Sequence, residues 1–170
     1  MALVIKHGDL FVEVAKAQGP RVIAHGCNAV GKMGSGFAVE VRRRYPIAYM
    51  GYRDAYISDG LYMGDVVYVS VDGEITIANC ITQHYYGKVA GVQYANTEAI
   101  RKCLTQVATF CKKQGAALHL PLIGGKRGGL EKDVVITIFK ELFDDVDATL
   151  WLNEEHDKTH SYPKRSRHDL

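Results

Sequence analysis

Two glycine-rich segments hold the residues best placed to do chemistry. The first runs His25-Gly26-Cys27-Asn28-Ala29-Val30-Gly31-Lys32-Met33-Gly34-Ser35-Gly36-Phe37-Ala38. It follows an apolar strand and opens a helix, so backbone N–H groups and the positive end of the helix dipole converge on one spot. Glycines there let a phosphate or a ribose approach the main chain. The order GxxGxG is neither the dinucleotide fingerprint GxGxxG nor a Walker loop. The second segment is Pro121-Leu122-Ile123-Gly124-Gly125-Lys126-Arg127-Gly128-Gly129-Leu130-Glu131, again between strand and helix. Gly124 and Gly129 have Walker-like spacing, but Leu130-Glu131 stands where Lys-Ser/Thr is required, which excludes an NTP-hydrolysing P-loop. Two such loops at one sheet edge suit a ligand with two phosphates between sugars; the alternative is a pair of unrelated turns. Lys32, Lys126 and Arg127 are either phosphate contacts or solvated loop cations.

The elements that must position these loops follow from periodicity. Leu3-Val4-Ile5 reads as a first strand and Arg21-Val22-Ile23-Ala24-His25 as a second, buried one. The chain looks helical from Gly36 to Arg44, and Pro46 then interrupts it. Asp65 to Val71 and Glu74 to Asn79 flank Asp72-Gly73, a strong hairpin signal. Ile100, Leu104, Val107 and Cys111 form one apolar stripe on a helix between Asn96 and Lys113. Leu118 to Ile123 is another buried strand. Leu130, Val134, Val135, Ile138, Phe139 and Leu142 mark the core face of a second long helix, and Ala148 to Leu152 closes the fold as a last strand. Strands and helices alternating around one hairpin predict an α/β domain, with a mixed central sheet covered by helices on both faces. In such folds ligands bind at the carboxyl ends of the strands, where both glycine loops fall.

A chain of 170 residues is one domain by length, and 47% hydrophobic with 24% charged residues is globular composition. It excludes a disordered chain, a coiled coil and collagen. Seventeen glycines against four prolines indicate turns where backbone bends sharply or meets a ligand. A net charge of +2 supplies no global drive toward nucleic acid. The N-terminal apolar run is interrupted at once by Lys6, no stretch approaches a membrane span, and Cys27, Cys80, Cys103 and Cys111 lack zinc spacing. A cytoplasmic protein with free thiols is therefore expected, with no membrane partner. Residues 153–170 carry little apolar surface and read as a polar, flexible tail, which leaves 1–152 as the domain.

Gly8-Asp9-Leu10-Phe11, the His25–Ala38 segment and Pro121–Gly129, taken together, resemble a macrodomain, the module that binds ADP-ribose. The similarity covers Leu3 to Leu152. It is nearest to the branch of ADP-ribose-1″-phosphate phosphatases and of hydrolases that release ADP-ribose from glutamate. Cys27, Asn28, Met33, Gly34, Gly36 and Ala38 match that branch's first loop, and Thr149-Leu150-Trp151 its last strand. The resemblance implies a three-layer α/β/α fold. It implies that Asp9 accepts from the adenine amine while the Leu10 amide bonds the ring, and that Trp151 gives the adenine an apolar wall. Without the resemblance, Asp9 is a turn or helix-cap residue and Trp151 a core residue. Asn28, Met33, Gly34, Ser35, Gly36 and Phe37 would hold the distal ribose and diphosphate. Ile123, Gly124, Gly125, Lys126, Arg127 and Gly128 would wrap the phosphates from the other side.

The resemblance also bears on catalysis. The glutamate-ADP-ribose hydrolases use a lysine late in the strand before the long helix and an aspartate in the second loop. Those positions fall here on Gln83 and near Gly128. A glutamine forms no Schiff base and a glycine is no base, which weighs against that mechanism. The phosphatase-like members carry a histidine where His25 stands. An imidazole beside a phosphate can attack it or protonate the leaving oxygen, although a hydrogen-bonded core histidine is the other reading. His84, beside Tyr85 and Tyr86, is a second candidate or a surface-loop residue. The expected function is hydrolysis of ADP-ribose-1″-phosphate to ADP-ribose and phosphate, with His25 catalytic. The alternatives are removal of ADP-ribose from protein or nucleic acid, and a non-catalytic reader. No metal and no cofactor is expected, the partner is ADP-ribose or an ADP-ribosylated molecule, and the chain is expected to be a monomer.

Overall fold

The computed structural model describes residues 3–87, 89, 91–125 and 128–153. Among these residues six strands and five helices follow one another as β1 (Val4–His7), α1 (Leu10–Lys16), β2 (Arg21–Asn28), α2 (Phe37–Arg44), α3 (Pro46–Asp59), β3 (Val66–Ser70), β4 (Ile75–Gln83), α4 (Thr97–Gln114), β5 (Ala117–Leu120), α5 (Lys132–Leu142) and β6 (Ala148–Leu152). The strands form one sheet in the order β1-β6-β5-β2-β4-β3. Every neighbouring pair is parallel except β3 with β4, whose hairpin sets Val66 against Cys80 and Ser70 against Thr76. The expected mixed sheet is present, and its single antiparallel strand is the Asp72-Gly73 hairpin. Asp72 Oδ1 accepts from the amides of Glu74 and Ile75, and these bonds hold its carboxyl below the usual range.

Helices cover both faces. On one side Val22, Ala24, Ala78, Cys80, Leu118 and Leu120 join the apolar stripes of α4 and α5 in the larger core. On the other, Ile23, Ile75 and Ile77 pack with α1, α2 and α3. A strand buried on both faces reads as a continuous apolar run, and β2 does so. The layers are helix, sheet, helix. Among the described residues no helix is long and apolar enough to cross a membrane.

Several elements depart from their sequence expectations. The first strand starts one residue later and reaches His7, and β2 continues to Asn28, with a register shift between Cys27 and Asn28. The fifth strand stops at Leu120 because Pro121 has no N–H to give the ladder. Val134 is 43% exposed, so it lies off the core face of α5. Pro46 does not leave a loop behind it; it starts α3 as the first helical residue, where its missing N–H costs nothing. That helix buries Ala48 and Tyr52 but leaves Ile47, Met50 and Ile57 exposed, which blurs its periodicity. The expected tail beyond Asn153 lies outside the described residues.

Candidate functional site

The carboxyl ends of β1, β6, β5, β2 and β4 all emerge on one sheet edge, because these five strands are mutually parallel. At the usual strand spacing, that edge runs roughly 19 Å from β1 to β4. A cavity of about 460 Å³ lies along it. Its described walls come from Gly8–Phe11 after β1, the end of β2 with Ser35–Ala38, Gln83 at the end of β4 with Tyr86, Val92 and Tyr94 beyond it, Pro121–Gly125 with Gly128 and Gly129 after β5, and the end of β6 with Asn153. Both sequence loops meet there.

At the β1 end Asp9 caps α1, with Oδ1 accepting from the Phe11 amide at 3.0 Å. The cap reading of Asp9 is therefore correct, and Asp9 also lines the cavity beside Leu10 and Phe11. One carboxylate oxygen serves the helix, and a carboxylate has further acceptor capacity beyond that bond. Trp151 lines the same end, with its indole N–H donating to His119 Nδ1 at 3.0 Å. Phe11 stacks on Phe37 with ring centroids 4.9 Å apart, and both rings line the cavity.

The middle is bounded by the glycine loops. Ser35, Gly36, Phe37 and Ala38 line it, and α2 starts here with no capping side chain. The N-terminus of a helix suits an anion. Asn28 lines the cavity, but its side chain also folds the loop. Oδ1 accepts from the amides of Val30 and Lys32, and Nδ2 donates to the Lys32 carbonyl at 2.8 Å. The buried Tyr52 hydroxyl donates to the Asn28 carbonyl at 2.6 Å, a support that no sequence signal announced. Met33 and Gly34 require correction. Met33 is 2% exposed and packs with Cys27, Tyr52 and Ile81, and neither residue lines the cavity. On the facing side Ile123, Gly124, Gly125 and Gly128 line it as expected; Lys126 and Arg127 lie outside the described residues.

The segment after β4 forms a wall that sequence reasoning missed, apart from Gln83 and the tyrosine pair. Gln83, Tyr86, Gly87, Val92 and Tyr94 line the cavity. The amides of Tyr94 and Ala95 donate to the Gly128 carbonyl at 2.8 and 3.0 Å, so this wall is stitched to the second glycine loop. The available signal was Gly87 and Gly91 among three tyrosines between a strand and a capped helix. His84 is exposed and does not line the cavity, whereas Tyr86, stacked on Tyr85 at 4.5 Å, does.

His25 is not where a catalytic imidazole must be. It is 0% exposed, does not line the cavity, and lies behind Phe37 with ring centroids 5.8 Å apart. Its Nε2 sits 2.7 Å from Asn79 Oδ1, and Asn79 Nδ2 donates to the Val67 carbonyl, which fixes the amide and makes Nε2 the donor. Gly26, the next residue of β2, borders the cavity, whereas the His25 side chain lies in the core. Cys27 does line the cavity, but burial raises its thiol well above the usual range, so it stays protonated. The core reading of His25 holds, and the catalytic one is withdrawn.

Burial lowers the His25 pKa to about 4 against an ordinary 6.5, while the Asn79 bond pushes weakly the other way. The unfolded chain therefore binds the proton first as pH falls. Stability from this residue is complete above pH 6.5 and is lost progressively down to about 4. At about 1.4 kcal/mol per unit, the loss is roughly 3 kcal/mol. Denaturant unfolding across this range will show that loss in the wild type and not in His25→Gln, which keeps a donor for Asn79 without titrating. Parallel pH profiles would contradict it.

No family model matches the chain, and no curated protein matches it in sequence. Solved structures do. A Bacteroides thetaiotaomicron protein of unknown function is 29% identical, with TM-score 0.81 over 90% of this chain and 98% of that one. A Streptomyces coelicolor macrodomain protein is 27% identical, with TM-score 0.73 over 88% and 98%. Thermosipho africanus DarTG, solved in complex with ADP-ribose, is alike in fold, at 20% identity and TM-score 0.70 over 87% of this chain and 40% of that one. Sheet order, the cleft across five parallel strand ends and these likenesses agree: the chain has a macrodomain fold.

Proposed function

We propose that the cavity binds ADP-ribose, with adenine at the Asp9–Trp151 end and the distal ribose toward Asn28 and Gln83. One observation carries this reading. A single cleft joins a carboxylate acceptor and an aromatic wall at one end to two backbone-rich glycine loops in its middle. The carboxylate fits the exocyclic amine of adenine, which can only donate. The loops offer amides to a diphosphate. The length of the strand edge suits an extended dinucleotide-like ligand. The Thermosipho protein's complex with ADP-ribose supports the same ligand in the same fold.

A second reading adds turnover of ADP-ribose-1″-phosphate, and Lys32 favours it. This exposed cation lines the cavity beside Asn28, where a phosphate on the distal ribose would lie. Among the described lining residues of that end there is no carboxylate and no imidazole. Hydrolysis would therefore depend on positioning, with water activated by the substrate's own phosphate. Water adds at phosphorus, the bond to the ribose oxygen breaks, and that oxygen leaves with a proton from the water.

The test is a parallel assay on ADP-ribose-1″-phosphate, glutamate-ADP-ribosylated protein and ADP-ribosylated nucleic acid. Phosphate release that persists in His25→Gln and falls in Lys32→Ala is the expected result. Release of ADP-ribose from either macromolecule would move the activity to ADP-ribosyl removal. Binding without turnover on all three would make the protein a reader.

A further inference from the structure

His119 lies outside both glycine loops and is not itself a lining residue, yet it holds one. Its Nδ1 accepts the Trp151 indole N–H at 3.0 Å, and the two ring planes differ by only 15°, a geometry compatible with an in-plane N–H···N bond. The pair joins β5 to β6, where Thr149 is the register partner of His119. Trp151 also packs against the core cluster that includes Leu10, Phe11 and Ile23, with the Gly8 backbone and a cation close to its indole. A Cβ on Gly8 would stand 3.3 Å from the ring, and Lys6 Nζ lies 5.8 Å from its centroid.

We propose that His119 is a positioning residue of the adenine end: its unprotonated Nδ1 holds the Trp151 indole as the cavity wall, and protonation releases it and weakens ligand binding. The assignment of adenine to this end rests on the function proposed above. The chemistry is a donor–acceptor match. An indole N–H can only donate, so its partner must present a lone pair, which fixes the proton of neutral His119 on Nε2. A second proton puts an N–H on Nδ1 and sets two donors against each other. The charged groups around His119 are Asp147 before β6, Arg21 of β2 and Lys6 of β1. The helix packed on β5, α1, carries Glu13 and Lys16, paired with each other at 3.6 Å. Burial lowers the imidazole below its ordinary 6.5, Arg21 and Lys6 act in the same sense, and Asp147 opposes them. The acceptor is intact at neutral pH and is lost on acidification below 6.5.

Trp151 is the one tryptophan of the chain, so its fluorescence reads the pair with no ligand present. Two variants separate the roles. His119→Asn places an amide oxygen near the Nδ1 position and does not titrate; His119→Leu removes the acceptor. The wild type is expected to show a fluorescence inflection below pH 6.5 that His119→Asn lacks. ADP-ribose affinity should fall in the wild type as the pH is taken down below 6.5 and stay level in His119→Asn. At pH 7.5, His119→Leu should bind about 3- to 10-fold more weakly and His119→Asn like the wild type. Identical fluorescence titrations, or identical affinity profiles, in wild type and His119→Asn would overturn the proposal. A wild type that ignores ADP-ribose would defeat the functional reading and the ligand arm with it, while the fluorescence inflection still decides the pairing.

Discussion

Replacing Asp9 by asparagine will leave the fold intact and weaken ADP-ribose binding about 10- to 100-fold. The carboxylate has two acceptor oxygens: Oδ1 takes the Phe11 amide at the start of α1, and Asp9 lines the cavity, where the proposed function gives its second oxygen the adenine amine. Asparagine has one acceptor. With its oxygen on the helix it turns an NH₂ toward another donor; flipped, it leaves the helix amide facing that NH₂. Losing a charged hydrogen-bond partner is worth about 1–3 kcal/mol, which sets the expected range. Asparagine is as good a helix cap as aspartate, so thermal stability should hardly move. Asp9→Ala loses both roles, and about 1 kcal/mol of stability goes with the cap. Calorimetry and denaturant unfolding on both variants separate the two effects. Undiminished affinity in Asp9→Asn would remove adenine from this end of the cavity.

Gly129→Ala is expected to be the most damaging single methyl in the site. Gly129 has φ +81, a conformation that costs an L-residue about 1–2 kcal/mol. Its added Cβ would meet the Val92 carbonyl oxygen at 2.5 Å and the Gln93 Cα at 2.9 Å, both main-chain atoms that cannot swing aside. Relief requires the second glycine loop and the Gln83–Tyr94 wall to part, at the expense of the two amide bonds to the Gly128 carbonyl. A stability loss of about 2–4 kcal/mol follows, with ADP-ribose binding weakened more than tenfold. Gly19→Ala is the control. Gly19 has φ +83, but nothing lies within 4 Å of its added Cβ, so only the conformational cost applies and binding should not change. Equal effects of the two substitutions would show that the loops do not close on each other through this contact.

The parts of the molecule that were legible in the sequence are those written in local signals. The Ala148–Leu152 strand is found to the residue, because a short apolar run sits between polar segments. The long helix from Asn96 declares itself by its stripe and by an asparagine whose Oδ1 caps the Ala99 amide. The glycine loops were visible because glycine between strand and helix has few other uses. What was not legible depends on contacts far apart in the chain. The fate of His25 is decided by Asn79, its register partner on the neighbouring strand. A run buried on both faces gives no periodicity from which to tell that Gly26, not His25, borders the cavity. Met33 shows the same limit, since Tyr52 and Ile81 draw it into the core from other elements. The helix α1 is short, and its cap residue Asp9 was legible first as a candidate ligand contact; in the structure it caps the helix and lines the cavity.

The account turns on whether this cleft takes ADP-ribose, and titration calorimetry on the wild-type protein at pH 7.5 measures that directly. Saturable one-to-one binding of ADP-ribose is predicted, with ribose-5-phosphate much weaker because it lacks the adenine that the proposed function places against Asp9 and Trp151. No heat of binding with ADP-ribose at millimolar concentration would contradict the proposed function, whatever the fold.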